Sequence, residues 1–267
     1  MTEKPRPVLH WDPQYLAKRD FPVVKEEPLS IRIQGNPYSV IMRTPGDEIA
    51  HAAGFCLAEG IVDSHADIHS IGYCDDVDTN VVTITLSPAK RAALSPEVLE
   101  RRGFISQTSC GICGKSVVAE LYRHIAFVRD EAVIDPQKAW DLIESLGDYQ
   151  PMRRQTKASH GTVIMDAEFN CLSSAEDVGR HNALDKAIGK LLLSDNLHRA
   201  KIAALSSRVS YELVQKTARA AIPIVLSVSR PTSLAIELAE QLNVSLACLA
   251  PDTGLLIFCH PQRFQTD

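Results

Sequence analysis

From about Thr162 the chain alternates short apolar runs with longer stretches of helical spacing. The runs Thr162–Met165, Lys201–Leu205, Ile222–Val228 and Val244–Leu249 read as strands, and Gly179–Leu193, Ser210–Ala221 and Pro231–Leu242 read as helices. Strands separated by helices of about 10 to 15 residues predict a layered α/β unit. Parallel neighbours need a crossover about that long, so this rhythm limits the second half to few topologies.

The first half has a different rhythm. Residues up to about Pro22 are polar and proline-bearing, and are expected to form a poorly ordered lead-in. Leu29–Ile33 and Tyr38–Met42 alternate apolar and polar across Gly35-Asn36, which predicts a hairpin. Pro45-Gly-Asp opens a helix whose positions Ile49, Ala52, Ala53, Cys56 and Leu57 share one face, and Gly60 closes it. Ile71–Cys74 and Val81–Leu86 read as further strands, and Pro88–Arg101 as a helix. This is a small α+β unit. A length of 267 residues gives a prior of about 1.8 domains.

Composition excludes several classes. The chain has 28 Lys+Arg against 33 Asp+Glu, a net charge of −5, unlike the strongly basic footprint of a duplex-DNA binder. No nucleic-acid partner is therefore expected. No run reaches 18 apolar residues and the N-terminus lacks an apolar core, so neither a membrane span nor a signal peptide is expected. The expected location is the cytoplasm. Seven cysteines, an odd number in a long chain, fit reduced thiols. Cys56, Cys74, Cys248 and Cys259 fall in apolar settings and read as core thiols, whereas Cys171 lies in the polar turn Phe169-Asn-Cys.

Cys110-Gly-Ile-Cys113 lies in a polar, glycine-flanked loop that is unlike an apolar core. A structural zinc site would need a second ligand pair, and no second C-x-x-C exists. A redox dithiol at a helix start is a second reading. Sulfur carriage on an exposed thiolate, stabilised by Lys115 and a following helix N-terminus, is the third. Spacing alone does not separate the last two.

Polar clusters mark the second half. Glu176–Lys186 places Arg180, His181 and Asn182 in the first turn of a helix, with Asp177 as its expected cap. A helix start attracts anions through its free N–H groups, and Arg180 adds a fork suited to phosphate. The alternative is a plain charged helix start. His160 follows the basic run Arg153–Lys157, Arg208 sits at a strand-to-helix junction, and Ser229–Ser233 occupies the next. Such strand ends commonly hold ligands, here one of nucleotide type. No Walker loop or G-x-G-x-x-G is present.

Taken in order, these motifs resemble the FdhD family of formate dehydrogenase accessory sulfurtransferases. The resemblance runs from about Leu29 to Phe264. It rests on Arg43-Thr-Pro-Gly-Asp47, Gly54-Phe55 with Glu59-Gly60, Thr108–Lys115 and Glu176–Lys186. Arg208 with Ser210 and Glu212, Leu213–Lys216, and Pro231–Ala235 with Glu237–Glu240 complete it.

The resemblance implies a small α/β roll over residues 23–103, followed by a cytidine-deaminase-like three-layer α/β domain over residues 104–267. The Cys110/Cys113 loop would open the second domain. It implies a sulfurtransferase that loads Cys110 as a persulfide from a cysteine desulfurase, with Cys113 as partner thiol. The acceptor would be the molybdenum cofactor in its bis-guanine-dinucleotide form (Mo-bis-MGD), before insertion into formate dehydrogenase. The family forms homodimers, and GDP would mimic part of the cofactor. The implied cofactor-binding residues are Leu249, Ala250, Pro251, Asp252, Thr253 and Gly254, with Arg180, His181, His160 and Arg208; no structural metal is expected.

No H-x-E occurs and Ser109 precedes Cys110, so zinc deaminase chemistry is not inherited with that fold. The chain departs from the family where Thr156-Lys-Ala-Ser-His160 replaces a T-G-G-x-H pattern and Ser206-Ser207-Arg208 replaces S-G-R. Its Leu249–Gly254 segment also lacks most of the family's arginine and glycines. A cofactor chaperone without sulfur transfer, or a structural zinc module, are the alternative functions.

Overall fold

The computed structural model describes residues 5–74, 79–94 and 125–265. Cys110, Cys113 and the expected 103/104 domain boundary lie outside the described residues.

The lead-in is not irregular. Strands β1 (Arg6–Asp12) and β2 (Tyr15–Phe21) form an antiparallel hairpin with Trp11 opposite Leu16. The Asp12 carboxylate accepts from Gln14 N at 3.0 Å and closes the turn. Charges interleaved among the apolar residues conceal the strand pattern in the sequence.

Strands β3 (Glu27–Ile33) and β4 (Asn36–Arg43) form the expected hairpin, with Leu29 opposite Ile41. Its two-residue turn is Gln34-Gly35, at φ 53° and 80°, so Asn36 already belongs to the strand. Two positive φ values match the right-handed twist of the flanking strands. Strands β5 (Ile68–Tyr73) and β6 (Val81–Leu86) complete a four-stranded sheet of order β4-β3-β6-β5. Leu29, Ile31 and Ile33 of β3 and Val82, Ile84 and Leu86 of β6 are all buried, as alternation along each strand requires.

Helix α1 (Glu48–Ala58) is buried at ten of its eleven positions, not on one face only. Its carbonyls and glycines meet helix α5 (Arg180–Leu193) at close range. A Cβ added to Gly54 would lie 2.0 Å from the Asp185 carbonyl oxygen, and one added to Gly189 would lie 1.8 Å from that of Ala50. Only glycine at both positions lets the two backbones approach this closely.

Five further helices are described: α2 (Pro88–Ala93), α3 (Pro136–Glu144), α4 (Pro151–Thr156), α6 (Tyr211–Arg219) and α7 (Ser233–Leu242). The expected helix from Pro88 to Arg101 is described only as far as α2. The second half carries a six-stranded sheet of order β12-β11-β10-β9-β7-β8. Its strands are β7 (His160–Met165), β8 (Cys171–Asp177), β9 (Ile202–Leu205), β10 (Ile224–Ser227), β11 (Ser245–Leu249) and β12 (Leu255–Cys259). β9, β10 and β11 are parallel, joined through α6 and α7 as the alternation predicts. β8 was not expected, because Ser173, Ser174, Glu176 and Asp177 leave it no apolar run, although Ser173 and Asp177 are buried.

One apolar cluster joins α1 and the four-stranded sheet to Leu184, Ala187 and Ile188 of α5, Leu213 and Val214 of α6, and Leu238 of α7. A second cluster packs Ala139, Leu142 and Ile143 of α3 under the opposite face of the six-stranded sheet. Helices thus cover both faces of that sheet, giving the three-layer α/β arrangement.

Gly54→Ala is expected to destabilise the fold by about 1–3 kcal/mol through overpacking. The control is Gly72→Ala, where no atom lies within 4 Å of the added Cβ. Denaturant titrations followed by circular dichroism should separate the two midpoints; coincident midpoints would contradict the tight helix crossing.

Candidate functional site

The strand directions bring most of the expected ligand residues to one edge of the six-stranded sheet. β9, β10 and β11 are parallel, while β7 runs antiparallel to β9 and β8 antiparallel to β7. The carboxyl ends of β9, β10, β11 and β8 therefore share an edge with the start of β7. His160 opens β7, Arg180 and His181 follow β8, Arg208 follows β9, Arg230 follows β10, and Leu249–Gly254 follows β11. This is the edge at which layered α/β sheets hold ligands.

At one end of the edge, His160, Arg153, Arg180 and His181 lie close enough to influence one another. Burial holds the His160 imidazole below its ordinary pKa, and the positive charges of Arg153, Arg180 and His181 push the same way. His160 Nδ1 and Arg180 Nε are buried without a hydrogen-bond partner. His181 Nε2 lies 2.9 Å from Glu212 Oε2 and 3.3 Å from Ser210 Oγ, at the start of α6. Ser206 Oγ accepts from Gly161 N at 2.9 Å and ties β9 to β7.

Two expected groups stand apart from this cluster. Arg208 is exposed. The Leu249–Gly254 segment is a turn closed by Ala250 N donating to Gly254 O at 2.9 Å, with Pro251, Asp252 and Thr253 exposed. Arg230 Nη1 donates to the Leu249 carbonyl and lies 3.2 Å from Cys248 Sγ. β11 is three strand steps from β7, about 14 Å at ~4.8 Å per step. The edge thus offers a cationic end and a separate turn, a span suited to an extended anionic ligand.

The start of α5 rests on a buried pair. Asp177 is no cap: Gly179 occupies that position, and Asp177 is fully buried at the end of β8. Its Oδ2 lies 2.7 Å from Lys186 Nζ and accepts from Thr44 N at 3.0 Å. Its Oδ1 accepts from Gly179 N and Asn182 Nδ2, each at 2.9 Å. Lys186 Nζ also donates to Thr44 O at 2.7 Å, and Val178 N to Thr44 Oγ1 at 3.1 Å. The segment Arg43–Asp47 of the first half is therefore bolted to the segment that presents Arg180 and His181.

Arg43 is itself buried, with Nη2 2.6 Å from Asn80 Oδ1 and 3.1 Å from Glu48 Oε1. One turn along α5, Asp185 meets Lys216 of α6 at 2.8 Å in a second buried pair. Glu176, next to Asp177, accepts from Met152 N and Arg153 N at 2.7 and 2.8 Å and from Ser159 Oγ at 2.9 Å. A carboxylate at the start of α4 stabilises its free N–H groups. Arg43 and Asn80, Asp185 and Lys216, and Glu176 and Met152 are far apart in sequence, which is why spacing did not reveal them.

At Thr156–His160 the backbone keeps a glycine conformation without the glycine. Lys157 ends α4 at φ 58°. A side chain there costs about 1 kcal/mol relative to glycine. Lys157→Gly is accordingly expected to raise stability by about that amount, measured as a higher midpoint on thermal unfolding; an unchanged or lower midpoint would contradict it.

His51 on α1 gave no signal in the sequence. It is fully buried, neither ring nitrogen has a hydrogen-bond partner, and burial with nearby Lys186, Lys216 and Arg43 holds its pKa well below 6.5. The folded state keeps this ring neutral, whereas the unfolded chain protonates it near pH 6.5. Stability is unaffected above about pH 6.5 and falls below it, by up to about 1.4 kcal/mol per pH unit. His160 adds in the same direction. Denaturant titrations between pH 7 and pH 5, above most carboxyl titrations, should show this slope, and His51→Leu should reduce it. An equal slope in the variant would contradict the assignment.

Among the thiols, Cys56, Cys248 and Cys259 are buried as expected, and burial raises the pKa of Cys56 and of Cys259, the latter to about 11. Cys74 is exposed, contrary to expectation, because it lies just beyond β5 at the edge of its sheet. Cys171 is also exposed, at the first position of β8. No group of three metal-ligating side chains occurs among the described residues. No described helix is long and apolar enough to cross a membrane.

Comparison with known proteins adds an independent line. Residues 24–265 match the sequence profile described as the FdhD/NarQ family. A protein of Bordetella bronchiseptica named "Sulfur carrier protein FdhD" is 36% identical over 90% of this chain and 86% of its own length. One of the same name from Mycolicibacterium paratuberculosis is 36% identical over 97% of each chain. A solved structure from Desulfotalea psychrophila, described as a formate dehydrogenase accessory protein, superposes with a TM-score of 0.77 at 20% identity over 99% of each chain. At that identity the likeness concerns the fold.

Proposed function

The chain belongs to the FdhD/NarQ family, and from that premise we propose that it is a sulfur carrier serving formate dehydrogenase. Cys110 takes sulfur from the persulfide of a cysteine desulfurase, and Cys113 acts as its partner thiol. The Cys110 thiolate attacks the outer sulfur of the donor persulfide. The donor S–S bond breaks with its electron pair on the desulfurase cysteine, so one sulfur moves and no oxidant is consumed. The acceptor is the molybdenum cofactor in its bis-guanine-dinucleotide form, which is substrate and not a resident group. Delivery precedes insertion into the apoenzyme, in the cytoplasm and from a homodimer.

One observation supports this reading above the others. Arg153, Arg180, His181, Arg208 and Arg230 gather at a single sheet edge of a chain whose net charge is −5. Basic groups so placed, beside the N–H groups that open α5, suit the phosphates of a dinucleotide. The turn at Leu249–Gly254 provides a second contact along the same edge.

The test is intact mass spectrometry after incubation with a cysteine desulfurase and cysteine. The chain is expected to gain about 32 Da, one sulfur atom, on Cys110. Cys110→Ala should abolish the gain, while Cys113→Ala should retain it. A Cys110→Ala protein that still gains one sulfur would sink the assignment of the carrier cysteine.

A further inference from the structure

The β1–β2 hairpin is a sheet of two strands that no third described strand joins. A lone hairpin is at best marginally stable in water, so it needs cover from elsewhere. Its register sorts the side chains onto two faces. One face is occupied by its own polar contacts. Arg19 Nη2 donates to Tyr15 Oη at 2.8 Å, the Arg19 guanidinium lies over the Tyr15 ring, and the His10 ring meets that ring edge-on. The other face carries Leu9, Trp11 and Leu16, which are 63%, 71% and 60% exposed. With Val40 they are the most exposed large apolar side chains among the described residues.

A second bare apolar patch lies on β4, an edge strand of the four-stranded sheet. Ile41 packs against the core, so Val40 and Met42 on either side of it face outward, 66% and 50% exposed. Ser30 and Pro28 of β3 stand opposite them. At ordinary side-chain areas the hairpin face offers about 400 Å² of apolar surface and the β4 patch about 200 Å². These areas decide how two copies would meet. Hairpin face against hairpin face would bury about 800 Å² in total, the size of a casual packing contact, and would leave β4 bare. Each hairpin laid on β4 of the other copy would bury about 1,200 Å² of apolar surface, enough for a stable interface. A two-fold axis then covers both patches of both copies.

We propose that the β1–β2 hairpin is an arm by which two copies of this chain clasp each other, with Leu9, Trp11 and Leu16 of each lying on Val40 and Met42 of the other. The seven-residue strands make the arm about 23 Å long at about 3.3 Å per residue, and residues 22–26 join it to β3. Lys18 opposite Leu9 and Asp20 opposite Pro7 form a polar rim beside the apolar centre. Charged residues along both strands oppose pairing of the arm's edges with further strands, so assembly stops at two. The inference gives a surface to the homodimer of the sulfur-carrier reading and does not depend on the sulfur chemistry.

The test is sedimentation equilibrium of the full chain over a dilution series. The wild type should sediment at twice the 29.3 kDa mass of the chain. Trp11→Asp and Met42→Asp should each raise the dimer dissociation constant at least about a hundredfold, because each substitution acts at both symmetry-related contacts. Arg19→Ala, on the other face of the same arm, should leave the constant within about threefold of the wild type. Circular dichroism should show the wild-type spectrum for all three, since each replaced side chain lies at the surface. A monomeric wild type, or a dimer that survives Trp11→Asp, would overturn the proposal. So would loss of the dimer in Trp11→Asp but not in Met42→Asp, which would mean arms meeting each other, or equal loss in Arg19→Ala. Sulfur loading of the same wild-type sample is read separately by intact mass. A dimer that responds to the variants as stated but gains no sulfur supports the arm and overturns the carrier reading.

Discussion

The buried pair between Asp177 and Lys186 is the contact on which the rest of the site depends. Four donors converge on one carboxylate that is closed to water: an ammonium, a side-chain amide and two backbone N–H groups. A charge so enclosed is tolerated only when every lone pair is met, and loss of one partner from such a pair costs about 3–5 kcal/mol. One of these donors, Thr44 N, comes from the first half of the chain, and its carbonyl receives Lys186 in return. The pair therefore joins the small sheet to the large one while holding the first turn of α5.

The glycine crossing performs the complementary task in the apolar layer. With no Cβ at Gly54 or Gly189, α1 and α5 touch through their backbones, and the Asp185–Lys216 pair is sealed beside them under Phe55. Close packing keeps α5 at a fixed height over the sheet, and polar pairing fixes its rotation. Arg180 and His181 project from a support held in both ways. Groups that must meet a ligand gain most from such preorganisation. Glu176 extends it to α4, so that Arg153 and His160 reach the same end of the edge from another element.

Much of the fold was legible along the chain. The alternation beyond Thr162 placed β9, β10, β11 and the three helices between and before them, because core strands and amphipathic helices announce themselves by period. Hairpin β3–β4 was legible from its turn, with the turn one residue earlier than expected. The β1–β2 hairpin was not legible because charged residues are interleaved along its exposed strands, and β8 was not because its inward positions include the polar Ser173 and Asp177. The reading of α1 as one-sided failed for the opposite reason: a helix covered by a sheet on one side and a helix on the other has no solvent face.

The site divides along the same line. Residue types and order alone determined that this chain carries a glycine-flanked Cys110-Gly-Ile-Cys113 motif, a layered α/β second half, and Arg180-His181 at a helix start. They also determined membership of the family, since the motif series is a property of order. Tertiary structure alone decided that Asp177 is a buried hub and not a cap, that Glu212 stands behind His181, and that His51 is sealed among cations. Only strand direction decided that His160, Arg180, Arg208 and the Leu249–Gly254 turn share one edge. Local spacing encodes elements through backbone periodicity, whereas contacts such as Thr44 with Asp177 and Asp185 with Lys216 form between residues tens to more than a hundred positions apart, where no periodicity connects them.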